Sequence, residues 1–537
     1  MAPSHRCPQE PVPDTVRVTR TPREPETRSN LGIDVTVEAT GTPTNRLVAV
    51  GDSLTHGFQS GAIYNTDISF PAIIASELGW YPQFRHPQYP GFGGIPLNIE
   101  LMIRDLEERF GDEVSWWELP SAAFRIRQHL AEAEHWWDSG PGATTPPMPG
   151  ISHNLGVYGW DVRDILSRTA DSSKAEDRVP FQVVPLVRNA DVIAAKRALD
   201  SARDNVGRAL TPLQAARALG EQGSVEDGGG DGIETLLVTI GANNALGTVI
   251  GLCVRWSADG YDDLKTKGAY DVWRPEHFES EFALVADAVR QIRARHVIFA
   301  TVPHVTIVPV ARGVKGKVEK GSRYFKYYTR PWIADDDFDP ESDEHLTADD
   351  ARAIDSAIDQ YNDVIAGHVR AGREEGRDWR LLDLAGLLDR LAARRFLEDP
   401  DVRLPDWWEP YELPDALKAL RPAPDSRFFA SDSNGRATGG LFSLDGIHPT
   451  TIAYGLMAQE FMNVMVEAGV TFHRPDGVTP RQPPVEVDWD ALIARDTLIS
   501  HPPRSLRSDV SLIGWLDERL DVFTRLWGGI TAAQDAG

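Results

Sequence analysis

Residues Leu47 to Thr55 read LVAVGDSLT, an apolar run that stops at Gly51-Asp52-Ser53-Leu54. A run of Leu, Val and Ala with no polar alternation fits a strand buried on both faces, and such strands belong to parallel sheets covered by helices. Glycine permits an abrupt departure from the strand. A strand ending in Gly-Asp-Ser sets a serine hydroxyl at the carboxyl rim of the sheet, where ligands of open α/β folds bind. Such a serine becomes a nucleophile when a base reaches it.

The same pattern recurs along the chain. Strands are expected at Arg46 to Val50, Ile151 to Val157, Leu236 to Ile240, His296 to Val302 and Trp379 to Leu384, with a short preliminary strand at Ile33 to Glu38. Helical spacing of apolar residues is present in Phe70 to Leu78, Phe278 to Arg295, Leu346 to Val369 and Thr450 to Gly469. Asn189 to Gly220 reads as one or two alanine-rich helices, and Asp161 is placed to cap a helix starting near Val162. Alternating strands and helices predict a parallel sheet of about five strands, covered on both faces.

The segments between these elements exceed ordinary loop lengths. The expected organisation is therefore a disordered tail at 1–30, one α/β domain at 31–470, and a C-terminal extension at 471–537. Insertions are expected near 81–150, 246–275, 304–345 and 386–440. The run Gly223 to Gly232 reads as a loop.

Over 537 residues the formal charge is −25, which argues against a nucleic-acid partner or an anionic membrane surface. Leu236 to Val254 has no charged residue, yet its asparagines and glycines suit a strand leaving into a loop rather than a membrane span. Residues 1 to 30 have no apolar core of a signal peptide, so a cytoplasmic protein is expected. The two cysteines, Cys7 and Cys253, lie in the tail and in an apolar segment, which argues against a structural disulfide.

Four points fall at strand ends in order: Ser53, Gly159 in NLGVYGWD, Asn243 in VTIGANN, and Asp445 with His448 in SLDGIHPT. Each has a job in acyl transfer. Ser53 is the nucleophile, His448 its base, and Asp445 the group that fixes the imidazole tautomer. Backbone N–H groups at Ser53 and Gly159 and the Asn243 amide supply an oxyanion hole. Asp52, beside the nucleophile, reads as a loop-fixing residue rather than the acid of the triad.

Block by block, these residues resemble the SGNH hydrolases, also called GDSL esterases and lipases. The resemblance covers the core strands and their loops, about half the chain. It implies a flavodoxin-like three-layer α/β/α sandwich and a Ser53–His448–Asp445 triad, with no cofactor. The family's third block is usually Gly-x-Asn-Asp, and Asn244 stands here in place of the final Asp.

Other residues invite simpler readings. His56 is too near Ser53 in sequence to serve as its base and reads as structural. Trp160, beside the oxyanion glycine, is the expected substrate contact, with His304 a second pocket-lining candidate or a loop residue. The pairs Trp116-Trp117, Trp136-Trp137 and Trp407-Trp408 read as cores of the insertions. The acidic run Ala334 to Glu344 lacks the spacing of a calcium loop, and no metal or nucleotide motif is present. Three functions stay open: a carboxylic ester hydrolase on a small-molecule ester, an acyltransferase or carbohydrate deacetylase with the same triad, and a binding protein on a hydrolase fold. Oligomeric state is not legible.

Overall fold

A computed structural model describes residues 7, 9–37, 43–111, 114–115, 117–172, 187, 189–222, 232–266 and 269–506. Four parallel strands make the central sheet, in the order β1 (Asn45–Gly51), β2 (Ile233–Thr239), β3 (Ala294–Ala300) and β4 (Trp379–Leu382). The predicted second strand survives as an edge segment. His153 O accepts from Ala49 N, and Leu155 N and Val157 N donate to Ala49 and Gly51 carbonyls, so 153–157 runs parallel to β1. Counting that edge, the chain order across the sheet is second, first, third, fourth, fifth. This is a doubly wound order, and its direction reverses between β1 and β2.

The reason for the apolar runs is now visible. Leu47, Val48, Ala49 and Val50 are fully buried, because helices cover both faces. Each Leu or Val so enclosed contributes about 1.5–3 kcal/mol. One face carries α2 (Phe70–Glu77) and α6 (Thr451–Glu467). The other carries α3 (Pro212–Gly220), α4 (Pro275–Arg290) and α5 (Ala348–Glu374). The result is the three-layer α/β/α arrangement expected. Asn189 to Gly220 is two helices, Ala190–Leu199 and α3, and the second starts with the capping box of Thr211 and Gln214. Asp161 does cap the helix Val162–Ser167.

β2, β3 and β4 stop one or two residues earlier than the sequence suggests, at Thr239, Ala300 and Leu382, and β1 runs one residue farther, to Gly51. Residues Ile33 to Val37 form no strand; Glu38 lies outside the described residues. Also outside them are Trp116, 223–231 of the predicted loop, and 507–537 of the C-terminal extension. Among the described residues no helix is long and apolar enough to cross a membrane. The apolar stretch Leu236 to Val254 is instead most of β2, a turn and the short helix Gly247–Gly251.

Two expectations about the N-terminus are corrected. Cys7 and Cys253 form a disulfide across 246 residues, with Cα atoms 5.7 Å apart. The expected disordered tail is ordered from residue 9 onward, with 1–6 and 8 outside the described residues. Glu10 N donates to Val254 O, Trp256 N to the Glu10 carboxylate, and the Gln9 amide to Leu252 O. Farther along, Thr19 N reaches Ser356 Oγ and Glu26 N reaches Asp383 Oδ2. The arm is held by hydrogen bonds to residues remote in sequence. That makes a Pro- and Arg-rich segment look unstructured when read alone.

Candidate active site

β1 ends where the chain must turn without room for a side chain. A Cβ on Gly51 would lie 2.1 Å from Thr55 Oγ1 and 2.3 Å from the Thr239 carbonyl, so only glycine allows the next strand and the next helix to close on it. The chain then enters the short helix α1 (Ser53–His56), with Asp52 Oδ1 accepting from Leu54 N at 3.0 Å. Ser53 is thereby the first residue of a helix at the carboxyl rim of the sheet, and only 6% exposed.

Its partner arrives from the other end of the chain. His448 Nε2 lies 2.9 Å from Ser53 Oγ, and His448 Nδ1 lies 3.1 Å from Asp445 Oδ2. A carboxylate only accepts, so Nδ1 carries the hydrogen and the Nε2 lone pair faces the serine hydroxyl. The Phe58 ring packs on the imidazole at 4.4 Å between centroids.

Asp445 is anchored on both oxygens. Oδ1 accepts from Ile447 N and His448 N, both at 2.8 Å, and Oδ2 also accepts from Gly61 N at 2.9 Å. Burial pushes this carboxyl up, but the adjacent His448 and these N–H donors outweigh burial and hold it below the usual carboxylate range. It is not a helix cap, because Thr450 caps α6. The loop that carries Asp445 and His448 is clamped in turn. Ser60 N donates to Ser443 Oγ, Leu444 N to Ser60 Oγ, and Val310 N to the Gly446 carbonyl. Sequence reasoning missed the Ser60-Gly61 turn, whose only local signal is the Gln59-Ser60-Gly61 turn composition.

The oxyanion candidates lie on neighbouring turns. Asn243 Nδ2 donates to the Trp160 carbonyl at 2.7 Å, which ties the asparagine to the turn holding Gly159. One amide hydrogen is engaged there and a second remains on the same nitrogen. Gly159 has φ +73°, a conformation that disfavours other residues. Gly156 serves a different purpose. A Cβ there would fall 2.7 Å from His56 N and 2.8 Å from Thr55 Cβ, so the edge segment packs directly on α1. Asn244 is buried, its Oδ1 accepting from Val162 N at 3.3 Å, and so steadies the helix that follows Trp160.

Trp160 contributes through its carbonyl. Its side chain is buried and is not among the residues lining the cavity described below. His304 does reach that lining, and it is fixed between Asp389 at 2.8 Å and Asp359 at 3.1 Å. Burial alone lowers its pKa, but Asp389, Asp355 and Asp359 outweigh burial and raise it well above the usual histidine value. His56 is structural, as its position implied. Tyr158 N donates to Nδ1, so the Nε2 hydrogen points to the Tyr89 hydroxyl 2.9 Å away, and burial depresses its pKa to about 3.

Asp52 is the second carboxylate near His448. Burial raises its pKa to about 7, against the opposing pull of Leu54 N–H and His448. The folded value lies above the unfolded one, near 3.9. Its contribution to stability is therefore complete below about pH 4 and is lost as the pH rises through about 7. Asp52→Asn keeps an oxygen for Leu54 N and removes the titration. The melting temperature of the variant, relative to the parent, is expected to rise between pH 5 and pH 8 when both are followed by scanning calorimetry. An offset independent of pH would contradict the assignment.

Beside Ser53 and His448 opens a cavity with about 850 Å³ of free space, counting its mouth. Its walls are Leu246, Leu384, Leu387, Leu388, Leu391 and Leu456, with Met457, Phe442 and Val308 among their neighbours. The polar side chains in its lining are those of Ser53, His304 and His448. No protein-family model matches the chain, and no curated protein matches it.

Proposed function

We propose that the protein is a serine ester hydrolase acting on carboxylic esters with an apolar acyl chain. The observation that carries this reading is the Asp445–His448–Ser53 hydrogen-bonded series opening onto an apolar cavity. Ser53 Oγ attacks the ester carbonyl while His448 Nε2 takes its proton. The imidazolium, balanced by Asp445, then protonates the leaving alcohol. The acyl group remains on Ser53 until water, activated by the same histidine, releases the acid. Ser53 N–H, Gly159 N–H and the Asn243 amide stabilise the oxyanion. Replacing one such donor costs about 10²–10³ in kcat, so Asn243→Ala should fall by that factor at little change in KM. Steady-state kinetics on one p-nitrophenyl ester measure both parameters. A change in KM alone would remove Asn243 from the oxyanion hole.

The sequence resemblance to SGNH hydrolases and the doubly wound sheet agree with this reading. The apolar walls weigh against carbohydrate esters, and the assembled triad weighs against a purely binding role. The Cys7–Cys253 disulfide favours an oxidising compartment over the cytoplasmic location expected from the tail.

The test is a p-nitrophenyl ester series from acetate to dodecanoate. The walls predict kcat/KM rising with chain length. Leu388→Trp, at a half-buried wall position, should reduce turnover of the dodecanoate ester by about tenfold or more and leave the acetate ester nearly unchanged, because a filled slot excludes methylenes worth about 0.8 kcal/mol each. Preference for acetate in the parent protein would overturn the acyl-chain assignment.

A further inference from the structure

A second cavity lies behind the wall of the first. The segment Val305 to Pro309 separates them: Val305 and Val308 face the Ser53 cavity, whereas Thr306, Ile307 and Pro309 line the other. This cavity has about 910 Å³ of free space, counting its mouth, and is bordered by four arginines, Arg312, Arg394, Arg395 and Arg427, against one carboxylate, Glu398. In a chain of formal charge −25 such a concentration of cations requires an explanation.

Three of the arginines are partly neutralised. Arg395 pairs with Asp355 at 2.7 Å, Arg312 with Asp335 at 2.9 Å, and Arg427 with Asp425 at 2.6 Å and Glu398 at 3.3 Å. Arg394 makes no ion pair among the described residues. It donates to the Gly313 carbonyl at 2.9 Å and lies over the Phe325 ring at 5.0 Å. Arg312 Nε is buried and has no hydrogen-bond partner among the described residues. Burial and the nearby Arg312 both disfavour the charge on Arg394, and an anion in the cavity would relieve both. Arginine forks match the geometry of phosphate oxygens. Phe325, Tyr328 and Phe428 supply apolar walls beside the cations.

We propose that this cavity binds a phosphate group, free or as an organic phosphate monoester, at a site separate from the triad. It adjoins the catalytic loop from behind. A Cβ on Gly446 would meet the Phe428 ring at 2.9 Å, and Val310 N bonds the Gly446 carbonyl, so both residues bracket the turn between Asp445 and His448. The inference does not depend on the esterase reading, and each fails separately.

The experiment is calorimetric titration of the full chain with inorganic phosphate and, in a second arm, phenyl phosphate, at constant ionic strength balanced with chloride. Saturable binding is expected, weakened about tenfold or more by Arg394→Gln, since a charge-assisted hydrogen bond is lost. Tighter binding of phenyl phosphate assigns the site to an organic monoester, and binding of phosphate alone assigns it to the free ion. Arg427→Gln, whose side chain is 40% exposed, provides a second variant should Arg394→Gln fail to fold, with the same weakening expected. Absence of saturation in the parent protein, or binding unchanged in the folded variants, would overturn the proposal.

Discussion

Ser53→Ala is expected to reduce ester hydrolysis by about 10⁵–10⁶-fold in kcat while leaving KM nearly unchanged, because the group removed acts only in bond formation. The fold should survive. Ser53 is a small residue at the start of α1, its hydroxyl bonds His448 Nε2, and the turn depends on Gly51 and Asp52. A melting temperature close to that of the parent protein would separate a chemical loss from unfolding. Residual activity should reflect the oxyanion donors alone. Activity retained within tenfold would mean that another group performs the attack.

Asp445→Asn has the second largest expected effect, about 10⁴-fold in kcat, by reversing the imidazole tautomer. The asparagine oxygen still accepts from Ile447 N and His448 N. Its amide nitrogen then faces Gly61 N–H and His448 Nδ1, which are both donors in the native arrangement. The histidine is pressed toward the form protonated on Nε2, with no lone pair for the serine. The unpaired Gly61 N–H also costs stability, about 1–3 kcal/mol. Kinetics and a denaturant curve on the same preparation resolve the two losses. A variant with full stability loss and unchanged kcat would make Asp445 a clamp alone.

How far the sequence discloses this site follows from which interactions are local. β1 to β3 are legible because both faces are buried, so each carries an apolar stretch, Leu47–Val50, Leu236–Val238 and Val297–Ala300, followed within a few residues by Gly51, Gly241 or Pro303. Ser53 stands out as a chemistry-bearing residue just beyond such a run, whereas Asp445 and His448 lie in the loop just before α6 rather than at the end of a strand. The supports of the site are not legible. Gly61 and Asp445 are 384 residues apart, and His304 and Asp389 are 85 apart. No periodicity connects such pairs. Trp160 misleads for a related reason: its indole draws attention, while its carbonyl orients Asn243. The N-terminal arm reads as disordered because its order comes from hydrogen bonds to Leu252, Val254, Ser356 and Asp383, all remote in sequence. Asp52 shows the opposite case. Its place in the Gly-Asp-Ser turn predicts a loop-fixing residue, and its bond to Leu54 N, two residues on, is local enough to be read in advance.

The most direct measurement of the central claim is covalent labelling of the folded protein with a fluorophosphonate, followed by mass analysis of the intact chain and its peptides. One adduct per chain on Ser53, absent from Ser53→Ala and slowed in Asp445→Asn, is the result predicted. A folded parent protein that takes no label, or takes it at a residue other than Ser53, would contradict the account.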